Sequence, residues 1–565
     1  MDLKNELAII LGKAIEEEDT NEVLSAIEIP PNKEMGDFAF ACFKLAKKLR
    51  NAPQKIAVEI KSKIEKPDFI KDIKVEGAYI NFYIESTVLA KKVIDEVLEK
   101  GESYGETNIG KGRNVVIDYS SPNIAKPFHV GHLRSTAIGN ALYNIYNAIG
   151  YKSVGVNHLG DWGTQFGKLI VAYKKWGEKE AVEREGIQEL NRIYVKFHEE
   201  AEKDEKMNDE ARAWLVKMQD GDEEALELWR WFKDISMIEF ERIYEKLGIK
   251  FDYNTGESFY SDKMDAVVEE LREKELLTES NGAMIVDLEE ENMPPCLILR
   301  SDGGTLYPTR DMATAFYRKR EFDFAKGLYV TACDQKLHFA QFFEVLKKMG
   351  YEWANDLEHI PFGLVSLEEG KLSTRKGNVV LMEDLLNEAV QKIEDIIENI
   401  NPTLENKKEI AKQVGIGAII FNDLYNSRIK DVAFSWERML NFEGETGPYV
   451  QYAHARACSI LNRVEDIEYD KVDYKLLDDQ SSAEIVKLIY AYPEKIVEAA
   501  NKYEPFLITR HLVHLARAFN KFYAENRILD SEKELKVARL AIVMSVKTIL
   551  ASGLKMLGIN APEKM

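Results

Sequence analysis

Apolar residues recur at helical spacing over long stretches of the chain, and a few short β-branched runs interrupt them. Up to about Gly105, helical patterns alternate with short strands, among them Ala78-Tyr79-Ile80-Asn81-Phe82-Tyr83. The glycine-rich stretch from Gly101 to Gly112 then reads as a linker. Val115-Val116-Ile117-Asp118-Tyr119 suits a buried strand, and a polar loop holding Pro122 and Pro127 follows it. From Leu133 onward, Ala137, Ile138, Ala141, Leu142, Ile145 and Ile149 keep helical spacing until Gly150 ends it. A second strand, Ser153-Val154-Gly155-Val156, comes directly after. Strand, loop, helix, strand is a βαβ unit, and sheets built from such units carry ligands at the C-terminal ends of their strands. Residues 119–132 are therefore predicted to lie at a ligand site.

Residues from about 170 to 255, rich in Glu, Lys and Trp, read as a helical insertion. Leu297-Ile298-Leu299, Gly327-Leu328-Tyr329-Val330 and Phe362-Gly363-Leu364-Val365 are expected to complete the parallel sheet. Beyond Glu383 the pattern is almost wholly helical, with Leu512, Leu515, Ala516, Phe519, Phe522 and Tyr523 on one stripe. Ser531 with Glu534 predicts a capping box for a last helix, which stops near Gly558 before Pro562. The implied fold class is an α/β Rossmann-like parallel-sheet domain with a helical insertion, preceded by an α+β domain and followed by an all-α bundle.

A chain of 565 residues is too long for one core at the usual ~100–200 residues per domain, which agrees with several units. The net charge of -21 excludes a generally basic, nucleic-acid-coating protein and confines any RNA site to a patch. Lys44, Lys47 and Lys48, with Arg50, form one candidate patch, which taken alone reads rather as a solvated helix face. Cys42, Cys296, Cys333 and Cys458 lie too far apart for a zinc motif or a disulfide framework, so free thiols in a reducing cytoplasm are expected. No basic leader or uncharged apolar span is visible, and neither export nor membrane insertion is expected.

Four clusters carry candidate chemistry. In Ser120-Ser121-Pro122-Asn123-Ile124-Ala125-Lys126-Pro127-Phe128-His129-Val130-Gly131-His132, two imidazoles at a helix N-terminus can face a polyphosphate, and Gly131 would let a base approach the backbone. The same two histidines could be a zinc pair or helix caps. Ser301-Asp302-Gly303-Gly304-Thr305-Leu306-Tyr307-Pro308-Thr309-Arg310-Asp311 reads alone as a turn into a helix capped by Thr309. Lys371-Leu372-Ser373-Thr374-Arg375-Lys376-Gly377 reads alone as a basic turn that could also neutralise a pyrophosphate leaving group. In Glu445-Thr446-Gly447-Pro448-Tyr449-Val450-Gln451-Tyr452-Ala453-His454-Ala455-Arg456, tyrosines sharing a helix face suit core packing or base stacking.

His129-Val130-Gly131-His132 resembles the His-Ile-Gly-His signature of class I aminoacyl-tRNA synthetases, and the run from Ser120 to Ser135 resembles their arginyl branch. The similarity continues through Asn157-His158-Leu159-Gly160-Asp161-Trp162-Gly163-Thr164-Gln165-Phe166-Gly167. The basic turn resembles the second signature, Lys-Met-Ser-Lys-Ser, with Thr374 in place of its second lysine. The resemblance implies ATP-dependent arginylation of tRNA, with arginine, ATP·Mg²⁺ and tRNA as partners and no resident cofactor or metal. It implies a monomer.

On this resemblance Lys126, His129, His132, Lys371, Ser373, Arg375 and Lys376 act in catalysis, and His129, Gly131, His132, Lys371 and Ser373 bind ATP. Asp118, Tyr307 and Asp311 would face the guanidinium, while Asn123 and Gln335 hold the amino and carboxylate groups. Position 118 departs from the glutamate expected there. Tyr449, Tyr452, Arg456, Tyr523 and Met565 would meet the anticodon, and Tyr79 and Asn81 the D-loop. The implied domains are 1–108 (added tRNA-binding), 109–385 (catalytic) and 386–565 (anticodon-binding). A non-catalytic tRNA-binding homologue, a nucleotidyltransferase of the same fold and a synthetase for another amino acid are the alternatives. Intact site residues argue against the first and the C-terminal bundle against the second, while the third is the nearest enzyme rival.

Overall fold

The computed structural model describes residues 3–16, 20–30, 35–301, 303–367, 380–465 and 467–565. They form two compact units: Met1–Gly101 with Ile460–Tyr490 and Ala518–Val546, and Glu102–Ser459 with Ala491–Arg517 and Lys547–Met565.

In the first unit Phe38–Ala41 pairs antiparallel with Tyr79–Ile84, and Ile70–Glu76 pairs with the other edge of Tyr79–Ile84. Phe38, Phe40, Ile80 and Phe82 are buried, as are Leu7, Leu11, Ile56 and Ile60 of the helices Leu3–Ile15 and Pro53–Lys63. Proline at the start of Pro53–Lys63 fits a position whose N–H would be unpaired anyway. The last helix, Lys533–Met556, starts two residues after Ser531, so Ser531 is not at its cap position and the predicted capping box is not formed; the Ser531 hydroxyl donates to the Ile528 carbonyl. That helix is long and apolar enough to cross a bilayer by composition alone, and it is mostly buried within the fold.

The second unit is built on five parallel strands in the order Leu357–His359, Lys326–Tyr329, Asn114–Asp118, Lys152–Asn157, Tyr253–Asn254. Asn114–Asp118, buried along Val115, Val116 and Ile117, is where the strand order reverses: the chain continues to Lys152–Asn157 on one side and later returns to place Lys326–Tyr329 on the other. The crevice at the C-terminal ends of such strands is where open α/β sheets bind ligands. The glycine-rich stretch is pinned rather than free: Thr107, Gly110 and Gly112 donate their amides to the carbonyls of Ala148, Ile149 and Gly150.

Two predicted sheet members belong elsewhere. Cys296–Leu299 pairs antiparallel with Ala283–Val286 in a separate three-stranded sheet, and Val365–Leu367 pairs with Val432–Phe434. The edges of the main sheet are instead Leu357–His359 and Tyr253–Asn254, too short and too polar to announce themselves as strands. The insertion is helical as expected, with Thr164–Trp176, Ile187–Ala201, Lys206–Gln219 and Glu223–Leu247 as its main helices. Arg134, on the helix Leu133–Ala148, is fully buried and pairs with buried Asp423 at 3.0 Å, tying that helix to Lys407–Leu424.

Candidate active site

The loop after Asn114–Asp118 turns sharply, with Ser120 at φ 69°, Ser121 at 50° and Ala125 at 61°. Three non-glycine residues in the left-handed region within six positions is a strain that persists only where the surroundings enforce it. Here they do. The Ser120 amide donates to Ser135 Oγ (2.9 Å), that of Ser121 to Asn157 Oδ1 (3.1 Å) and that of Ala125 to Ser236 Oγ (2.9 Å). Ser120 Oγ also meets the Tyr244 hydroxyl at 2.7 Å, and Phe128 packs edge-on against Phe240 and Tyr244. Ser236, Phe240 and Tyr244 share one face of Glu223–Leu247, so the insertion buttresses the loop. Ser236→Ala leaves the Ala125 amide buried without a partner, and a loss of about 1–3 kcal/mol in stability is expected, read by urea unfolding. A midpoint equal to wild type removes Ser236 from this role.

His129 caps the short helical turn Val130–His132. Its Nδ1 accepts from the Gly131 amide at 3.0 Å, and His132 Nδ1 accepts from the His129 amide at 3.2 Å. Both imidazoles therefore carry their proton on Nε2. Burial pushes His132 down to about 3, and burial with the nearby Lys126 charge lowers His129 as well. The pair works as neutral donors rather than as cations. A Cβ at Gly131 would lie 2.7 Å from Cε1 of the His129 ring, so the glycine leaves room for that imidazole. Gly160 is explained the same way, since Asn123 Oδ1 would lie 2.0 Å from a Cβ there.

The segment beyond the basic turn joins this loop. The Val130 amide donates to the Val380 carbonyl, and that of Met382 to the Phe128 carbonyl. Lys371, Ser373, Thr374, Arg375 and Lys376 themselves lie outside the described residues.

Asp118, at the C-terminal end of its strand, is not free. Arg318 Nη2 lies 2.7 Å from its Oδ2, with both groups buried, and Ser121 Oγ donates to Oδ1 at 2.9 Å. Asp311 and Arg318 stand two turns apart on the helix Tyr307–Phe322, and Asp311 meets His338 Nε2 at 2.5 Å. Glu257 pairs with Arg310 at 2.9 Å, and burial raises its carboxyl to about 7 in spite of that partner. Asp118 and Asp311 both act electrostatically on His158 and on Tyr329, two side chains at the C-terminal ends of parallel strands. Buried His158 Nδ1 finds no hydrogen-bond partner among the described residues.

Tyr307 starts its helix and is 67 % exposed, and Gln335 is exposed just past Lys326–Tyr329. Thr309 is no cap: its hydroxyl donates to the Ile298 carbonyl. Arg318, His338 and Glu257 carry no signal in the sequence that marks them as neighbours of the site. Only the polar Ser236 between Phe232 and Phe240 at four-residue spacing carried a signal.

Among the candidate RNA contacts, Tyr452 is exposed with the Arg456 guanidinium 4.8 Å from its ring centroid, Tyr449 is half-buried, and Tyr523 is exposed. The tail ending at Met565 lies on Gly447–Leu461, where Gln451 donates to the Asn560 carbonyl and His454 Nδ1 meets that of Pro562. Tyr79 is half-buried beside exposed Phe43. Asn81, by contrast, is 2 % exposed, which puts it beneath the surface expected to meet RNA.

A reversing parallel sheet with a histidine-capped loop at its switch point is the frame of a class I aminoacyl-tRNA synthetase, and residues 93–436 match the family of class I (R) tRNA synthetase catalytic domains. Residues 1–84 match the arginyl tRNA synthetase N terminal domain and 450–565 the DALR anticodon binding domain. An arginine–tRNA ligase of Alkaliphilus metalliredigens is 55 % identical and one of Clostridioides difficile 54 %, each over the full length of both chains. The solved arginyl-tRNA synthetase of Thermus thermophilus is 25 % identical with a TM-score of 0.85, covering all of both chains. The chain belongs to the arginyl-tRNA synthetase family.

Proposed function

We propose that this chain performs its family's ATP-dependent ligation of arginine to tRNA in the crevice at the ends of Asn114–Asp118 and Lys326–Tyr329. The observation that carries this reading is that Asp118 and Asp311 act on the same two side chains, His158 and Tyr329, at the ends of the parallel strands. A guanidinium cannot shed its proton, so its pocket needs carboxylate acceptors, with Tyr307 as a further polar contact. Asn123 and Gln335 flank the same strand ends and suit the α-amino and carboxylate groups.

In the first step the arginine carboxylate attacks the α-phosphorus of ATP·Mg²⁺, and pyrophosphate leaves. In the second, the terminal ribose hydroxyl of tRNA takes the arginyl group and AMP leaves. His129 and His132, neutral and oriented by backbone amides, offer Nε2–H to phosphate oxygens without reorganising. Lys126, close enough to lower both imidazoles, supplies positive charge. Lys371, Ser373, Arg375 and Lys376 meet the leaving pyrophosphate, and Gly131 keeps His129 close. No protein nucleophile takes part. ATP–pyrophosphate exchange with each amino acid, with and without tRNA, tests the reading; exchange with an amino acid other than arginine overturns it.

The division of labour follows the proposed domains, 1–108, 109–385 and 386–565, and the protein works as a cytoplasmic monomer. Tyr449, Tyr452, Arg456, Tyr523 and Met565 receive anticodon bases by stacking, and Tyr79 meets the D-loop. Deleting Met565 is expected to raise the tRNA KM roughly 5- to 150-fold, as about 1–3 kcal/mol of base packing is lost, with arginine and ATP KM unchanged. An unchanged tRNA KM in a normally folded variant assigns the terminus a structural role.

A further inference from the structure

Three carboxylates, Asp118, Glu257 and Asp311, each have a cationic or protonatable partner from the chain itself, and Asp311 acts electrostatically on Glu257. Asp118 pairs with Arg318, Glu257 with Arg310 and Asp311 with His338. Two of those partners are arginines, which keep their charge at any pH the fold survives. The third is an imidazole, which meets Asp311 through a single ring nitrogen and can hold it either neutral or charged. It sits in the first turn of Lys336–Lys348, half-buried against the rings of Phe339 and Phe342.

We propose that His338 is a built-in competitor for the substrate guanidinium, holding Asp311 while the pocket is empty and yielding that carboxylate to arginine. The proposal rests on the reading of Asp311 as guanidinium acceptor. With His338 neutral, Asp311 is the one charge of the three that no resident cation balances, and it matches one guanidinium. With His338 protonated, arginine must first separate an ion pair. An arginine fork can take both Asp311 oxygens, whereas the imidazole takes one, so the correct substrate is the ligand equipped to win.

The groups around the pair decide how clean this competition is. Asp311 acts on His158, Glu257 and Tyr329, and His338 acts on His359, which also feels Lys336 and Arg428. Burial lowers His158, lowers His359 to about 4 and raises Tyr329, which favours the neutral form of each. Glu257, raised to about 7, changes charge in the same window, so the test must separate it from His338.

Arginine dissociation constants are to be measured by calorimetry on the full chain between about pH 5.5 and 8, for wild type, His338→Gln, His338→Lys, Glu257→Gln and Asp311→Asn. Wild-type affinity is expected to weaken on acidification, approaching ~tenfold per pH unit at the acid end as one proton competes with one ligand. His338→Gln should lose that slope and bind arginine more tightly than wild type at the acid end. His338→Lys, a permanent cation, should bind weakly throughout, and unchanged ATP affinity certifies the folded site in both. A wild-type profile without slope, or one kept in His338→Gln and lost in Glu257→Gln, overturns the proposal. If Asp311→Asn leaves arginine binding intact, the acceptor reading itself fails; if it weakens binding while His338→Gln keeps the slope, only the competitor fails.

Discussion

Asp311→Asn is expected to cripple arginine use while leaving ATP binding nearly intact. Asparagine keeps the shape of the side chain and removes its charge. Asp118 and Glu257 already face resident arginines, so Asp311 is the carboxylate from which the substrate draws its charge pairing. Removing one partner of a desolvated charge pair typically costs about 3–5 kcal/mol, on the order of a thousandfold in kcat/KM for arginine. Exchange kinetics at varied arginine and varied ATP separate the two ligands. An arginine KM and a turnover both near wild type would take Asp311 out of the site.

Lys126→Ala should slow arginyl-adenylate formation far more than it weakens arginine binding. The second signature lacks its usual lysine, with Thr374 in that place, yet negative charge on the β- and γ-phosphates must still be met as pyrophosphate departs. Lys126 sits on the strained loop, next to Ala125 at φ 61°, and its charge reaches both His129 and His132. Because burial keeps those imidazoles neutral, they cannot replace the missing cation. One preorganised group of this kind contributes about 3–4 kcal/mol to a transition state, roughly a 10²–10³-fold change in rate. Single-turnover measurements should show that loss in Lys126→Ala and partial recovery when Thr374→Lys is added. An unimpaired activation rate would shift the role to Lys371, Arg375 or Lys376.

The βαβ unit, its loop and the histidine pair were legible in the chain from residue 114 to 157. Strand, helix and connection depend on contacts between near neighbours in sequence: a β-branched strand, a helix stopped by glycine, and a short connection whose handedness is preset. The left-handed turn of the loop does not, being held by Asn157, Ser236 and Tyr244 from farther along the chain. The helical character of the insertion and of the C-terminal third was legible for the same reason, since amphipathic spacing is local. Sheet membership was not. Leu297-Ile298-Leu299 and Leu357–His359 differ in which strand they meet, and backbone hydrogen-bonding groups are the same on every strand, so only the packed arrangement selects the partner.

The candidate site divides along the same line. That Asp118 and Asp311 could bind a guanidinium followed from their chemistry and from resemblance, because a carboxylate is an acceptor wherever it stands. Which cation each one already faces depended on side chains brought in from afar: Arg318, 200 residues from Asp118, and His338, 27 from Asp311. A charge in a poorly solvated crevice is set by everything within a few ångströms in space, whatever its distance along the chain. Residue types along the sequence determined the kind of ligand, while the tertiary structure decided how much of their charge is left for it.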